Sequence, residues 1–400
     1  MKKKILITGA VVLVAAAVIL GFILKNQVRE NTDSTAVNVD IGQWDTTQNE
    51  SQNYWNPDNH AVAKGMGGYY FIQTTDGISK IAFFDETTQE AVAVCEKPEC
   101  THSDNTCNAY LCDMKQTGSA LYLTDTIYCY NGYLYLIQCE GGMGKLVRIH
   151  TDGSARETIA DLFANTGVSS ISLVFHENDV YAYDDTGHAG QEEEAEEVIK
   201  KISLTDGTEQ TVFSYTGTGA SIDRGRSFGD KLYFVIREYT KNKETKVVSS
   251  DYKGLFEYDF ATGDTRKVID ADVCDYHADT ENQMLFYFVQ GTGLYAYDMT
   301  QGSNTLIYPA EDELIQCKMS YDGKNLYLFN NGAGRATETK TRIQRYCYVL
   351  DTKGNQIAKI LCNGVVYFGD TDYLFEENAD NLEYMKKENL SDKSEWIQVN

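Results

Sequence analysis

Apolar residues in this chain follow two patterns. One is a single unbroken run from Ile5 to Leu24. The other, which fills the chain from residue 59 onward, is a series of short runs closed by Gly, Asn or Asp. The stretch from Ile127 to Leu162 shows the second pattern best. Ile127-Tyr128-Cys129-Tyr130 reads as a strand, Asn131-Gly132 as a turn, and Tyr133-Leu134-Tyr135-Leu136-Ile137 as a second strand. A third strand, Lys145 to His150, ends at Asp152-Gly153, and a fourth runs to Leu162. Asn-Gly and Asp-Gly tolerate the positive φ that tight hairpins need. Four antiparallel strands in roughly 40 residues make one blade-sized sheet.

The unit repeats. An aromatic residue marks the second strand of each copy: Tyr70, Tyr135, Tyr181, Tyr233, Phe286, Tyr327 and Tyr373. Glycine marks the third-to-fourth turn at Gly153, Gly207, Gly263, Gly302 and Gly354, whereas the first and last units lack it. Second strands such as Leu232-Tyr233-Phe234-Val235-Ile236 are continuously apolar, as expected of strands covered on both faces. Third strands such as Phe256-Glu257-Tyr258-Asp259 alternate, which puts them nearer a rim. A β-sandwich pair also has many short strands, but seven copies of one mark favour a ring. The pattern predicts an all-β, seven-bladed β-propeller over residues 59–400, with blades at 59–95, 124–162, 171–215, 221–271, 273–308, 313–362 and 363–399. Each blade begins with its inner strand, and none borrows a strand to close the ring.

The run from Ile5 to Leu24 is long enough as a helix to cross a bilayer core of roughly 30 Å. Lys2, Lys3 and Lys4 precede it and hold residues 1–4 in the cytoplasm. The expectation is one N-terminal transmembrane helix at 5–24, a signal-anchor rather than a cleaved signal peptide, whose apolar core is usually shorter. A flexible polar stalk at 25–58 would follow, with the bulk of the chain extracytoplasmic. Composition narrows the partners. The chain has 400 residues, 28 Tyr, 16 Phe and a net charge of −24, which disfavours nucleic acid and anionic lipid.

In this frame the longer loops gather on one face, at 96–123 between blades one and two, 186–196 in blade three, 241–252 in blade four and 332–342 in blade six. Long loops on a rigid scaffold are common sites of recognition, so that face is expected to carry function.

The most specific local signal is Cys95-Glu-Lys-Pro-Glu-Cys100-Thr-His102-Ser-Asp-Asn-Thr-Cys107, followed by Cys112, in a loop spanning 95–112. Three thiols and an imidazole suit tetrahedral zinc, and four thiols outside a cell also suit disulfides. Sequence leaves both open. Either way the cluster would staple a loop that lacks its own core. Cys347 and Cys362 flank the turn at Lys353-Gly354 and fall nearly opposite each other, as a cross-strand disulfide or as two buried thiols. Cys95 to Ala109, with Phe83-Phe84-Asp85 before it, resembles a block in uncharacterised exported, membrane-anchored β-propeller proteins of Gram-positive anaerobes. The resemblance is specific over 69–110 and looser beyond. It implies a surface-anchored propeller of undetermined role. Related proteins often carry a lipid-modified Cys, whereas this chain has an apolar run instead.

Catalytic signatures are missing: there is no G-x-S-x-G, no H-E-x-x-H and no phosphate-binding G-x-x-x-x-G-K. His176, Arg224, Arg226, His277 and Lys318 lie on expected inner strands, where they would line a central channel able to take an anion or sugar. Two functions follow. One is a membrane-tethered binding module for a protein, peptide or glycan. The other is a carbohydrate-active hydrolase or lyase at the channel mouth, which requires Arg224, Arg226 and His277 to converge on one pocket. A redox or metal sensor built on the cysteine loop is a third.

Overall fold

The computed structural model describes residues 60–116, 121–164, 171–184, 194–241, 248–330, 344–370, 372–378 and 381–399. Contacts divide the chain into Met1–Trp44 and Asp45–Asn400, and every described residue lies in the second unit. The expected anchor at 5–24 and stalk at 25–58 fall outside the described residues. So do most of the long loops expected at 186–196, 241–252 and 332–342. Among the described residues, no helix is long and apolar enough to cross a membrane.

Seven antiparallel sheets follow one another along the chain, each built from consecutive strands paired in sequence order. This is a seven-bladed propeller; blades two to seven fall close to where the repeat pattern predicts them, and blade one extends beyond 59–95 to take in Tyr110–Asp113. The innermost strands are Val62–Gly65, Leu121–Tyr130, Ile171–His176, Ala220–Phe228, Val273–Asp279, Lys318–Tyr321 and Val365–Tyr367. All seven marker aromatics stand on second strands and are buried. They fill the gaps between sheets. Tyr135 meets Phe175 of the next blade at 4.8 Å, and Tyr181 meets Phe260 at 4.8 Å.

The marker glycines all adopt positive φ, between 67° and 86°. Three of them have a second reason to lack a side chain. A Cβ on Gly153, Gly207 or Gly354 would fall within 2.5 Å of the backbone oxygen of Val94, Ile159 or Ile307, in the blade before. The turn glycine therefore also sets how closely neighbouring blades stack.

The ring closes through side chains. Tyr69 and Phe84 of the first blade pack on Tyr373, Phe375 and Tyr384 of the last, at 4.8–6.1 Å between ring centres. Tyr69 also donates its hydroxyl to Asp370 at 2.7 Å.

One expectation about connectivity changes. The cysteine loop does not join blades one and two. Ala91–Ala93 and Tyr110–Asp113 both pair with the third strand of blade one, Ile78–Asp85. The two segments divide one outer edge between them, and the loop is an excursion from that edge. Both its feet meet at Ile81, which donates its N–H to Ala109 O at 2.9 Å and accepts from Val94 N at 3.0 Å.

Candidate functional site

The expected channel residues lie in different settings. Arg226, on the inner strand of blade four, is almost wholly buried: its side chain is 1% exposed and that of Asp275 is 0%. Its Nη1 donates to Asp275 Oδ1 at 2.7 Å and to Tyr276 O at 2.5 Å, and its Nη2 donates to Met319 O at 2.9 Å. Asp275 in turn accepts the N–H of Tyr276 and, at 2.7 Å, that of Met319. One ion pair thus ties the inner strands of blades four, five and six. Burial opposes the charge on Arg226, and Asp275 more than restores it, so its pKa is raised.

Arg224 sits in a bulge of the same strand with φ 61°, and its Nε donates to Cys274 O at 3.3 Å. His277 is buried against the rings of Phe228 and Tyr321. Burial, and next the charge of Arg226, push its pKa well down, so it is neutral at pH 7. Arg224, Arg226 and His277 are all buried at the packed axis of the ring. His176 leaves the group altogether. Its ring stacks on Phe260 at 3.8 Å, in the seam between blades three and four. Lys318 is half-buried at the start of the inner strand of blade six, opposite Phe329.

An open cavity of about 480 Å³ lies elsewhere, where blades six, seven and one meet. Its wall carries Glu86, Asp322, Lys324, Asn325, Tyr327, Asp372, Tyr373, Lys386, Lys387 and Glu388. These residues belong to first-to-second and third-to-fourth turns or adjoin them, so the cavity opens on the face opposite the ends of the blades where second strands pass to third. Lys387 is buried against Asp322 at 3.4 Å and over the ring of Tyr327 at 4.1 Å. Burial lowers its pKa, and Asp322 offsets part of that fall. Glu86, Asp370 and Asp372 bring three carboxylates together at one edge, where Lys64 pairs with Glu86 and, at 3.0 Å, with Asp370. Charged walls of both signs with two tyrosine edges suit a polar ligand that carries both donors and acceptors. No single segment marks this cavity in the sequence. Its residues come from blades at opposite ends of the chain.

The cysteine loop forms a compact group. Cys95 Sγ, Cys100 Sγ, a ring nitrogen of His102 and Cys107 Sγ lie within 4.8 Å of one another. His102 Nδ1 is 3.3 Å from Cys107 Sγ. Burial acts against ionisation of Cys95, but backbone N–H groups of Lys97 and Asn108 outweigh it and hold the thiol down, at about 6. Burial pushes Cys107 up to about 11. Cys112 is not part of the group. It stands in Tyr110–Asp113, paired with Ser79 and buried. All ten cysteines carry free thiols. Cys347 and Cys362 are diagonal neighbours and not opposite ones, because Cys347 faces Ile360 and Cys362 faces Arg345. Burial raises both thiols, Cys347 to about 12.

No described protein family matches the chain, and no curated protein sequence does. Among solved structures it is similar to a chain of the mitotic checkpoint complex, at 9% identity and TM-score 0.49, over 86% of this chain and 89% of that one. It is also similar to an oligogalacturonate lyase in complex with manganese, at 11% identity and TM-score 0.47, over 83% and 86%. A third is Sqt1 of Saccharomyces cerevisiae, at 11% identity and TM-score 0.42, over 86% and 97%. Likeness at this level goes no further than the fold, which the sheet topology already gives.

Proposed function

We propose that this chain is a membrane-tethered extracytoplasmic binding module, which presents a rigid propeller to a protein, peptide or glycan at the cell surface. The tether rests on the apolar run from Ile5 to Leu24 and the lysines before it. The observation that carries the reading is the commitment of Arg226. Its guanidinium is 1% exposed and gives three of its five N–H donors to Asp275 and two backbone carbonyls, so its charge is already balanced inside the fold. The carbohydrate-active alternative loses its centre on that account. The cavity between blades six, seven and one is then the recognition site.

The test uses full-length chain in mild detergent against arrays of surface glycans and cell-wall peptides. Binding is expected, and Lys324→Glu with Lys386→Glu should weaken it at least tenfold with the melting temperature unchanged. Turnover of a uronic acid polymer by the same preparation, lost in an Arg226 variant that still folds, would overturn the reading.

A further inference from the structure

The excursion from the outer edge of blade one has no hydrophobic core of its own, yet it is tightly turned. Glu99 and His102 both adopt left-handed backbone conformations, with φ 61° and 53°. For non-glycine residues that conformation is unfavourable, so something in the fold must hold it. Hydrogen bonds inside the loop support the turns: Lys97 Nζ donates to Thr106 O, Asp104 accepts from Thr106 N at 2.9 Å and from Thr106 Oγ1 at 2.6 Å, and Cys107 N donates to Asp104 O at 3.1 Å.

What the turns achieve is convergence. Three sulfurs and one imidazole nitrogen are brought around a single point. Disulfide formation joins sulfurs in twos and makes no use of a histidine. The fourth thiol that a two-disulfide scheme needs, Cys112, is held in a sheet away from the group. Backbone N–H groups of Lys97 and Asn108 lie at Cys95 Sγ, and that of Ala109 at Cys107 Sγ.

We propose that Cys95, Cys100, His102 and Cys107 bind one zinc ion, and that the ion locks the neck of the excursion to both halves of the outer edge of blade one. Three soft thiolates and one imidazole form a closed tetrahedral set, which leaves no position for a substrate. Each of the three thiols loses its proton to solvent on binding. The neck sits directly over Ile81, where Val94 and Ala109 both bond. Blade two grips the same segment, because Arg156 Nη2 donates to Asn108 O at 3.2 Å and Tyr110 O at 2.9 Å. The ion therefore stabilises the junction of blades one and two as well as the loop.

The test is metal analysis of the full chain purified without chelator, with thiols counted after unfolding in chelator. One zinc per chain and ten titratable thiols are expected. Cys112→Ser should keep the zinc, and Cys100→Ser should lose it or bind at least tenfold more weakly. If Cys100→Ser does not fold, the stripped wild-type chain is titrated with Co²⁺, which should give the absorption of a tetrahedral thiolate site. Zinc loading should slow amide exchange at residues 91–94 and 110–113 and leave blade five unchanged. Absence of zinc overturns the proposal, whether the thiols are all free or four are missing from the count. Loss of zinc in a folded Cys112→Ser chain overturns this ligand set. So does a Co²⁺ spectrum without thiolate charge transfer.

Discussion

Asp275→Ala is the perturbation that tests the packed axis most directly. In the native fold Asp275 neutralises Arg226 and accepts the N–H groups of Tyr276 and Met319. Alanine would leave a guanidinium with 1% exposure and no counter-ion. Removing one partner of a buried pair costs about 3–5 kcal/mol. The stranded Tyr276 and Met319 N–H groups are part of that cost, since an unsatisfied buried donor costs about 1–3 kcal/mol. Arg226→Met should cost about as much, because it buries a carboxylate whose cation has gone. The double variant should cost roughly what one single variant costs, not the sum, giving a coupling of about 3–5 kcal/mol. The assay is urea unfolding of wild type, both single variants and the double, with the slope required to stay constant across the four. If Asp275→Ala loses less than about 1 kcal/mol at constant slope, water reaches Arg226 and the axis is not packed. The case against a reactive channel would then fail with it.

Two further outcomes follow from the same fold. Gly354→Ala should be much more destabilising than Gly263→Ala: both positions have positive φ, but the new Cβ would meet Ile307 O at 1.9 Å in the first and nothing closer than 3.8 Å in the second. Thermal melts should show about 1 kcal/mol for Gly263→Ala and at least twice that for Gly354→Ala. His60, stacked on Tyr128 at 4.2 Å, has its pKa lowered to about 3 by burial and then by Arg226. Because the unfolded chain takes up the proton first, its contribution is full above pH 6.5 and is lost as pH falls towards 3. His60→Phe should therefore remove about 1.4 kcal/mol per pH unit from the acid sensitivity of stability between pH 6 and pH 4, read by melting both chains across that range.

Much of the architecture is legible in the chain because a propeller repeats its own signals. Tyr70 and Tyr373 stand at opposite ends of the sequence and carry the same information: second strand, covered on both sides. Glycine turns are equally local. Their closeness to the preceding blade is not, since no local pattern tells Gly354 from Gly263. The inner strands were placed correctly, yet the state of their charges was not readable. Arg226 looks like a channel-lining residue until the third dimension shows it buried, with one hydrogen bond to Asp275 and two to backbone carbonyls. The same limit applies to Cys112. By spacing it belongs with Cys107, but a strand register removes it from the cluster, and Ser79 opposite it gives no warning.

The position of the cavity has a simple cause in blade length. The last blade is the smallest: its inner strand, Val365–Tyr367, has 3 residues and its outer strand, Ile397–Gln398, has 2. Blade four, by contrast, carries an 11-residue second strand, Lys231–Lys241. A short sheet set between longer neighbours fills the middle of the seam and leaves its ends open. Openings should then occur on both faces beside blade seven, and they do. The charged cavity at Glu86, Asp322 and Lys386 is one. A second, of about 370 Å³, lies between Phe71–Thr74 of blade one and Glu377, Asn381 and Gln398 of blade seven. Of the two, the first joins charges of both signs to tyrosine edges, which is why the proposed recognition site is placed there. The ring closes here without a shared strand, so this seam relies on side chains such as Tyr69 and Asp370 for its cohesion. A ligand bridging Lys324 of blade six, Asp372 of blade seven and Glu86 of blade one would tighten the closure it occupies, so binding and ring stability should rise together.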